Sequence, residues 1–217
     1  MSYPQAPWSL KGFAYQTLHL IDVAKASAHV PIGLEIVSFL PGKTLGGVYL
    51  SQYKAGSTLL YSELIVIAAI VRRHSAIGMW VSHIYVDNLE SVEGGRNIWK
   101  LPKEAAEFHW SNQQSNVLVK QRDRTLCHFT SGWQLNFWRQ NGQVLTYSQL
   151  ESDLLLFETS AAADLAIVTS RLEVPSSSPF ARLIDSPPWL TVKAEGLDAT
   201  VGVPSVVAPG TKIFATR

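Results

Sequence analysis

A chain of 217 residues with 47% apolar and 16% charged side chains can bury a sizeable core, and it is short for two comfortable domains, so one domain over 1–217 is expected. Eighteen basic residues against seventeen acidic ones leave neither a basic stripe nor a charged tail, which argues against a nucleic-acid partner. One cysteine, Cys127, excludes an internal disulfide and a multi-cysteine metal site, and fits a reducing compartment.

The opening "MSYPQAPWSLKGF" has no basic start followed by an apolar run, so no signal peptide is expected. Residues 22–30, "DVAKASAHV", begin with a capping type at Asp22 and stop at Pro31, which predicts a short helix. Beyond it the chain reads mainly as strand. "LEIVSFL" (34–40) and "GGVYLSQY" (46–53) flank a turn at Pro41-Gly42. "LLYSELIVIAAIV" (59–71) is thirteen residues long and carries Glu63, whereas a membrane span needs about twenty apolar residues. It reads instead as a buried strand, with no membrane span expected and a cytoplasmic location.

"GMWVSHIYVDN" (78–88) alternates in part and predicts a strand with Trp80, Ser82, Ile84 and Val86 on one face. "NVLVKQ" and "TLCHFT" form a hairpin candidate around Asp123. Asn141-Gly142, between the apolar arms of "WQLNFWRQNGQVLTY", is the strongest local hairpin signal in the chain. A Pro- and Ser-rich stretch after Pro175 gives way to strand character in "ATVGVPSVV". Many short strands separated by turns argue for a mainly β fold, an antiparallel sheet or barrel with a few short helices.

Familiar motifs fail. "PGKT" at 41–44 lacks the glycine that a phosphate loop requires where Val37 stands, and Gly95 with its neighbours completes no dinucleotide fingerprint. Ser51 and Lys54 have Ser-x-x-Lys spacing without its companion boxes, and the six histidines never fall at zinc-ligand spacing.

Four segments in order do fit one pattern: "HVPIGLEIVSF", "LLYSELIVIA", "HIYVDN" and "GGRNIWKLPK". Tyr-x-Asp-Asn, then a Gly-Arg pair, then Pro-Lys resembles the acetoacetate decarboxylase superfamily. "KTLGGVYLSQY" and "YSELIVIAAIV" look most like its branch of the plant neoxanthin-deficiency protein. The resemblance implies a mostly antiparallel, barrel-like fold that assembles into homo-oligomers, needs no cofactor, and acts on a small carbonyl or keto-acid substrate. It puts Lys103 at the position of the Schiff-base lysine, whose neutral amine would add to a ketone and leave an iminium that accepts the electron pair of a departing carboxylate. A free lysine titrates near about 10.4, so such an amine must be neutralised by desolvation or a neighbouring cation.

The same resemblance matches Glu63 to the acidic residue beside the amine, a proton shuttle or orienting group. The alternative for Glu63 is an edge carboxylate reaching water, and on residues alone Lys103 reads as a surface lysine. Arg96 fits a fork for a substrate carboxylate or a tie on the Gly94-Gly95 turn. Lys11 lies near the arginine that the family carries at its pocket mouth. Trp99 and Trp110 are pocket walls or plain core. Two departures stand out: Glu104 follows Lys103 where the family has a second lysine, and apolar Val48 falls near where a second carboxylate is expected. Neighbouring strand residues point to opposite faces, which would put Glu104 outside the pocket. The remaining alternatives are aldol or dehydration chemistry on the same lysine, or a non-catalytic barrel holding an apolar, isoprenoid-like ligand.

Overall fold

A run such as Leu64–Val71 that is apolar at consecutive positions needs burial on both faces, and the fold supplies it by closing a sheet on itself and covering the outside. A computed structural model describes residues 3–111, 113–150 and 153–208. In chain order the elements are β1 (Trp8–Asp22), α1 (Val23–Ser27), β2 (Glu35–Ile36), β3 (Lys43–Tyr53), β4 (Tyr61–Arg73), β5 (Ala76–Val86) and α2 (Leu89–Trp99). Then follow β6 (Lys103–Ala105), β7 (Glu107–Trp110), β8 (Asn116–Gln121), β9 (Arg124–Leu150), β10 (Asp153–Glu173), β11 (Leu190–Val201) and β12 (Ser205–Ala208).

Strand order β10-β11-β1-β3-β4-β5-β9, with β9 returning to β10, closes a barrel. All joints are antiparallel except β5 to β9, a short parallel contact of Met79 with Thr146 and Trp80 with Tyr147. β2, β6, β8 and β12 attach to the outside of this ring, and β7 to β8. Along β4, Tyr61, Glu63, Ile65 and Ile67 face inward. Leu64 and Val66 face an outer core with Val48, Leu50, Val119 and Phe129, sealed further by Phe180, Leu183 and Ile184. No helix among the described residues is long and apolar enough to cross a membrane.

The strands expected in "GGVYLSQY", "LLYSELIVIAAIV" and "GMWVSHIYVDN" and the hairpin around Asp123 lie where the pattern puts them, with Arg122 taking the left-handed conformation in that turn. Five local expectations are corrected. Asn141-Gly142 is not a turn: both residues sit inside β9, paired with Ala162 and Ala161 of β10, and the pairing runs on to Leu150 opposite Asp153. A ladder of interstrand hydrogen bonds along both arms outweighs a two-residue turn preference. "LEIVSFL" contributes only Glu35–Ile36 as strand, and the first helix ends at Ser27. The expected single face of β5 is broken at Ser82, which is skipped between the Val66–His83 and Ile67–Val81 pairs. One extra residue flips the alternation, so Met79 and Val81 face inward on one side of the bulge and Ile84 on the other. Finally, Gly94-Gly95 is no turn but part of α2, in a chain that reads as strand on either side.

Candidate active site

α2 and β6 form the one crossover that builds the site. Asp87 accepts the Ser62 amide at 2.6 Å, fixing the end of β5, and Asn88 caps α2 by accepting the Ser91 amide at 3.0 Å. The helix stops at Lys100 in the left-handed conformation, whose amide bonds back to Gly95. Pro102 then turns the chain into β6, which pairs in parallel with β5 so that Lys103 lies opposite Ile84. The Asp-Asn and Pro-Lys signals are thus the two ends of a device that returns one lysine to the barrel wall.

The two glycines of α2 are required by close approach. A Cβ on Gly95 would stand 2.4 Å from Cδ and 2.7 Å from Cε of Lys103, and one on Gly94 would meet the Trp8 ring at 2.6 Å. The lysine stem therefore runs over bare backbone, and its amine reaches the barrel interior.

There Lys103 is 3% exposed. Its Nζ lies 2.8 Å from Glu63 Oε1 and donates at 3.0 Å to Ser91 Oγ. The amine sits 5.0 Å from the Tyr61 ring centroid and 5.7 Å from that of Trp8, within cation–π range. The Tyr53 hydroxyl donates at 2.9 Å to the other Glu63 oxygen, and Tyr49 follows at 3.4 Å. Burial first, and then the Glu63 charge, push Tyr53 and Tyr61 well above the usual phenol range, and burial pushes Tyr49 up to about 12. All three phenols remain protonated donors at neutral pH.

This cluster forms the floor of a cavity of about 550 Å³. Its walls are apolar: Leu10, Ile65, Ile67, Val81, Trp99 and Phe157 with the small residues Ala161 and Ala163. The floor is buried, while Leu18, Leu45, Ile70 and Met79 toward the other end are half-buried and Gln140 and Val144 are exposed.

The residues singled out in the sequence do not all meet. Lys103, Glu63 and Trp99 line the cavity, and the Trp99 indole N–H is spent on the Gly202 carbonyl at 2.8 Å. Arg96 is exposed, lies outside the cavity lining and donates from Nε to the Lys103 carbonyl at 2.7 Å, which fixes the backbone of β6. Lys11 is exposed and paired with Asp198 at 3.1 Å, outside the cavity. Trp110 packs on Phe13 in the outer core, and Val48 faces that core too, so no second carboxylate enters from its position. Glu104 points outward, held by Gln121 at 2.7 Å. Alternation in β6 explains the split: Lys103 in, Glu104 out.

Sequence reasoning missed Tyr53 and Ser91. Tyr49, Ser51 and Tyr53 are spaced two apart in "GGVYLSQY", a strand-face signal that was available, and Ser91 follows Asn88 at the spacing of a helix cap.

Residues 2–154 match the family model described as acetoacetate decarboxylase (ADC). The chain belongs to the acetoacetate decarboxylase family. This ADC-family chain is similar to the Protein NEOXANTHIN-DEFICIENT 1 of Arabidopsis thaliana, 34% identical over 122 residues, and to that of Oryza sativa subsp. japonica, 36% identical over 102. Those matches take in 56% and 47% of this chain but only 42% and 33% of the relatives, so it spans well under half of their length. Among solved structures, it resembles the acetoacetate decarboxylase of Legionella pneumophila with a TM-score of 0.74 at 16% identity, over 96% of this chain and 90% of that one. The enduracididine biosynthesis enzyme MppR, complexed with pyruvate, aligns with a TM-score of 0.72 at 14% identity, over 96% and 92%. These likenesses establish the ADC fold.

Proposed function

We propose that this protein is a carbonyl-processing enzyme in which Lys103 forms a Schiff base with its substrate. The observation behind the reading is the Lys103–Glu63 pair, 2.8 Å apart and almost fully buried beneath an apolar cavity. A buried ion pair is a weak device for stability, because desolvation offsets much of the attraction. In a low-dielectric floor the pair can instead exchange its proton, leaving a neutral amine beside a neutral acid.

The steps follow from that exchange. The neutral Lys103 amine adds to the carbonyl carbon as Glu63 gives its proton to the carbonyl oxygen, and the Glu63 carboxylate then takes a proton from the nitrogen. Glu63 then returns a proton to the carbinolamine oxygen, which leaves as water, and the C=N⁺ bond remains. Tyr53 holds the second Glu63 oxygen, keeping the carboxyl in one orientation through these transfers. The iminium is an electron sink for either of two bonds. On a keto acid it takes the electron pair released with carbon dioxide, the ADC-type lyase reaction. On another carbonyl compound it takes the pair of an adjacent C–H bond, the opening step of aldol or dehydration chemistry, and the Tyr53–Glu63 dyad supplies the acid–base group that this second route requires. A non-catalytic binder would need no such floor, so the five hydrogen-bonded groups Ser91, Lys103, Glu63, Tyr53 and Tyr49 favour the enzyme.

Assembly with further copies of the chain belongs to the same proposal. Between Gly132 and Leu145 the only strand partner of β9 among the described residues is β10, and Trp133, Leu135, Phe137 and Trp138 are exposed along it. A free edge with apolar side chains suits pairing with its own copy about a two-fold axis.

The test is reductive trapping. The protein is incubated with keto acids and aldehydes, treated with borohydride, and mapped by mass spectrometry. Attachment at Lys103 that disappears in Lys103→Ala is expected, and its absence with every compound would refute the reading.

A further inference from the structure

Charge balance and cavity shape specify what kind of carbonyl compound this floor can take. Among the described residues only two charged side chains line the cavity, Lys103 and Glu63, and they neutralise one another. Arg139, next in the chain to Gln140 of the lining, is engaged by Asp164 at 3.5 Å and by the Gly196 carbonyl at 3.2 Å. Lys11 and Arg96 are outside, bonded to Asp198 and to backbone.

Two substrates therefore meet different fates. With an uncharged aldehyde or ketone, the product is one iminium beside one Glu63 carboxylate, a neutral pair in an apolar chamber. With a keto acid, two carboxylates must share one cation between apolar walls, and the second has no cation of its own.

Size points the same way. A keto acid of seven non-hydrogen atoms fills about 200 Å³ at the ~30 Å³ that a water molecule occupies in the liquid. The cavity has about 550 Å³, and the remainder is walled by Leu10, Ile65, Val81, Trp99 and Phe157. From Glu63 to Ile70 the apolar wall follows β4 for seven residues, roughly 20 Å of strand at about 3.3 Å each.

We propose that the substrate is an uncharged aldehyde or ketone with an extended apolar body, its carbonyl at Lys103 and its tail along β4 toward Ile70, and that free keto acids are selected against. The inference rests on the Schiff-base reading of Lys103 and adds the substrate class to it. In the covalent step the amine nitrogen bonds the carbonyl carbon, the carbonyl oxygen departs as water with two protons, and the charge left on the iminium is matched by Glu63. The bond that the sink opens next is an adjacent C–H, because a substrate without a carboxylate has no carbon dioxide to lose.

Pairs that differ only in charge decide it. Pyruvate is compared with methyl pyruvate, and acetoacetate with ethyl acetoacetate, by borohydride trapping, with attachment at Lys103 normalised to that at surface lysines in the same sample. The ester is expected to exceed its acid by about 100-fold, the factor for one like-charge contact at about 6 Å and an effective dielectric of about 20. In a series from propanal to nonanal, attachment at Lys103 is expected to rise about fourfold per methylene until the cavity is filled. Glu63→Gln leaves a net positive floor, so the ester-to-acid ratio should collapse toward unity or invert. Acids attaching at Lys103 as well as their esters, or a flat aldehyde series, would overturn this inference and leave the Schiff-base reading standing. No attachment at Lys103 by any compound, while surface lysines react, would remove both.

Discussion

Replacing Gly95 by alanine separates the fold from the site, because the two respond to different degrees. In a helix interior alanine is favoured over glycine by about 1 kcal/mol. Against that gain, the new Cβ would stand 2.4 Å from Lys103 Cδ, 2.7 Å from Cε and 3.0 Å from Cγ. Carbon atoms rest at about 3.5–4.0 Å, so the lysine stem must withdraw by about 1 Å. Overpacking of that kind costs about 1–3 kcal/mol. The balance lies between no change and a loss of about 2 kcal/mol, at most a fall of roughly 4–8 °C in Tm for a chain of this size. The amine fares worse. A displacement of about 1 Å from Glu63 and Ser91 is enough to slow a positioned reaction by about 100-fold. Gly95→Ala is therefore expected to melt as a folded protein in calorimetry while its borohydride-trapped adduct at Lys103 forms about 100-fold more slowly. An unchanged trapping rate in a folded variant would refute the argument, since it would mean that the lysine stem has room to relax and that Gly95 does not position it.

Lys103→Met leaves the Glu63 carboxylate buried without its cation and should lower stability by about 3–5 kcal/mol in urea unfolding, whereas Lys103→Met with Glu63→Gln should recover most of that loss. Tyr53→Phe removes the donor to Glu63 Oε2, a bond to a charged group worth about 1.5–3 kcal/mol, and should slow Schiff-base formation roughly tenfold to 100-fold; an unaltered rate would remove Tyr53 from the proton-handling group. Burial lowers His19 to about 4, so the folded state disfavours its protonation. Its contribution is fully present above about pH 6.5 and is lost as pH falls toward 4, about 3 kcal/mol in all, and His19→Gln should flatten that part of the stability profile. Light scattering is expected to show an assembly larger than one chain that shrinks when Trp133 and Trp138 are both replaced by lysine; equal masses for the two proteins would exclude the β9 edge as the interface.

The sequence by itself determined a good deal. Apolar residues in short runs demanded strands, alternation inside "YSELIVI" put Glu63 on the face of Tyr61 and Ile65, and two-residue alternation was enough to send Glu104 away from Lys103. The family pattern in "HIYVDN" and "GGRNIWKLPK" marked the lysine. What only the tertiary structure decided concerns residues distant in the chain. A helix over Leu89–Trp99 is hidden by Gly94 and Gly95, whose small size answers to Trp8 and Lys103 and not to local propensity. Arg96 and Lys11 look like substrate-binding cations until β6 and Asp198 are seen to engage them. Asn141-Gly142 has the composition of a turn, but β10 lies alongside and its hydrogen bonds keep the strand straight through. The pairing of Lys103 with Glu63, forty residues apart, arises because β5 holds β4 on one edge and β6 on the other. Local rules set which way a side chain points along its own strand; which groups meet in the barrel is set by strand order, and that is a property of the whole closed sheet.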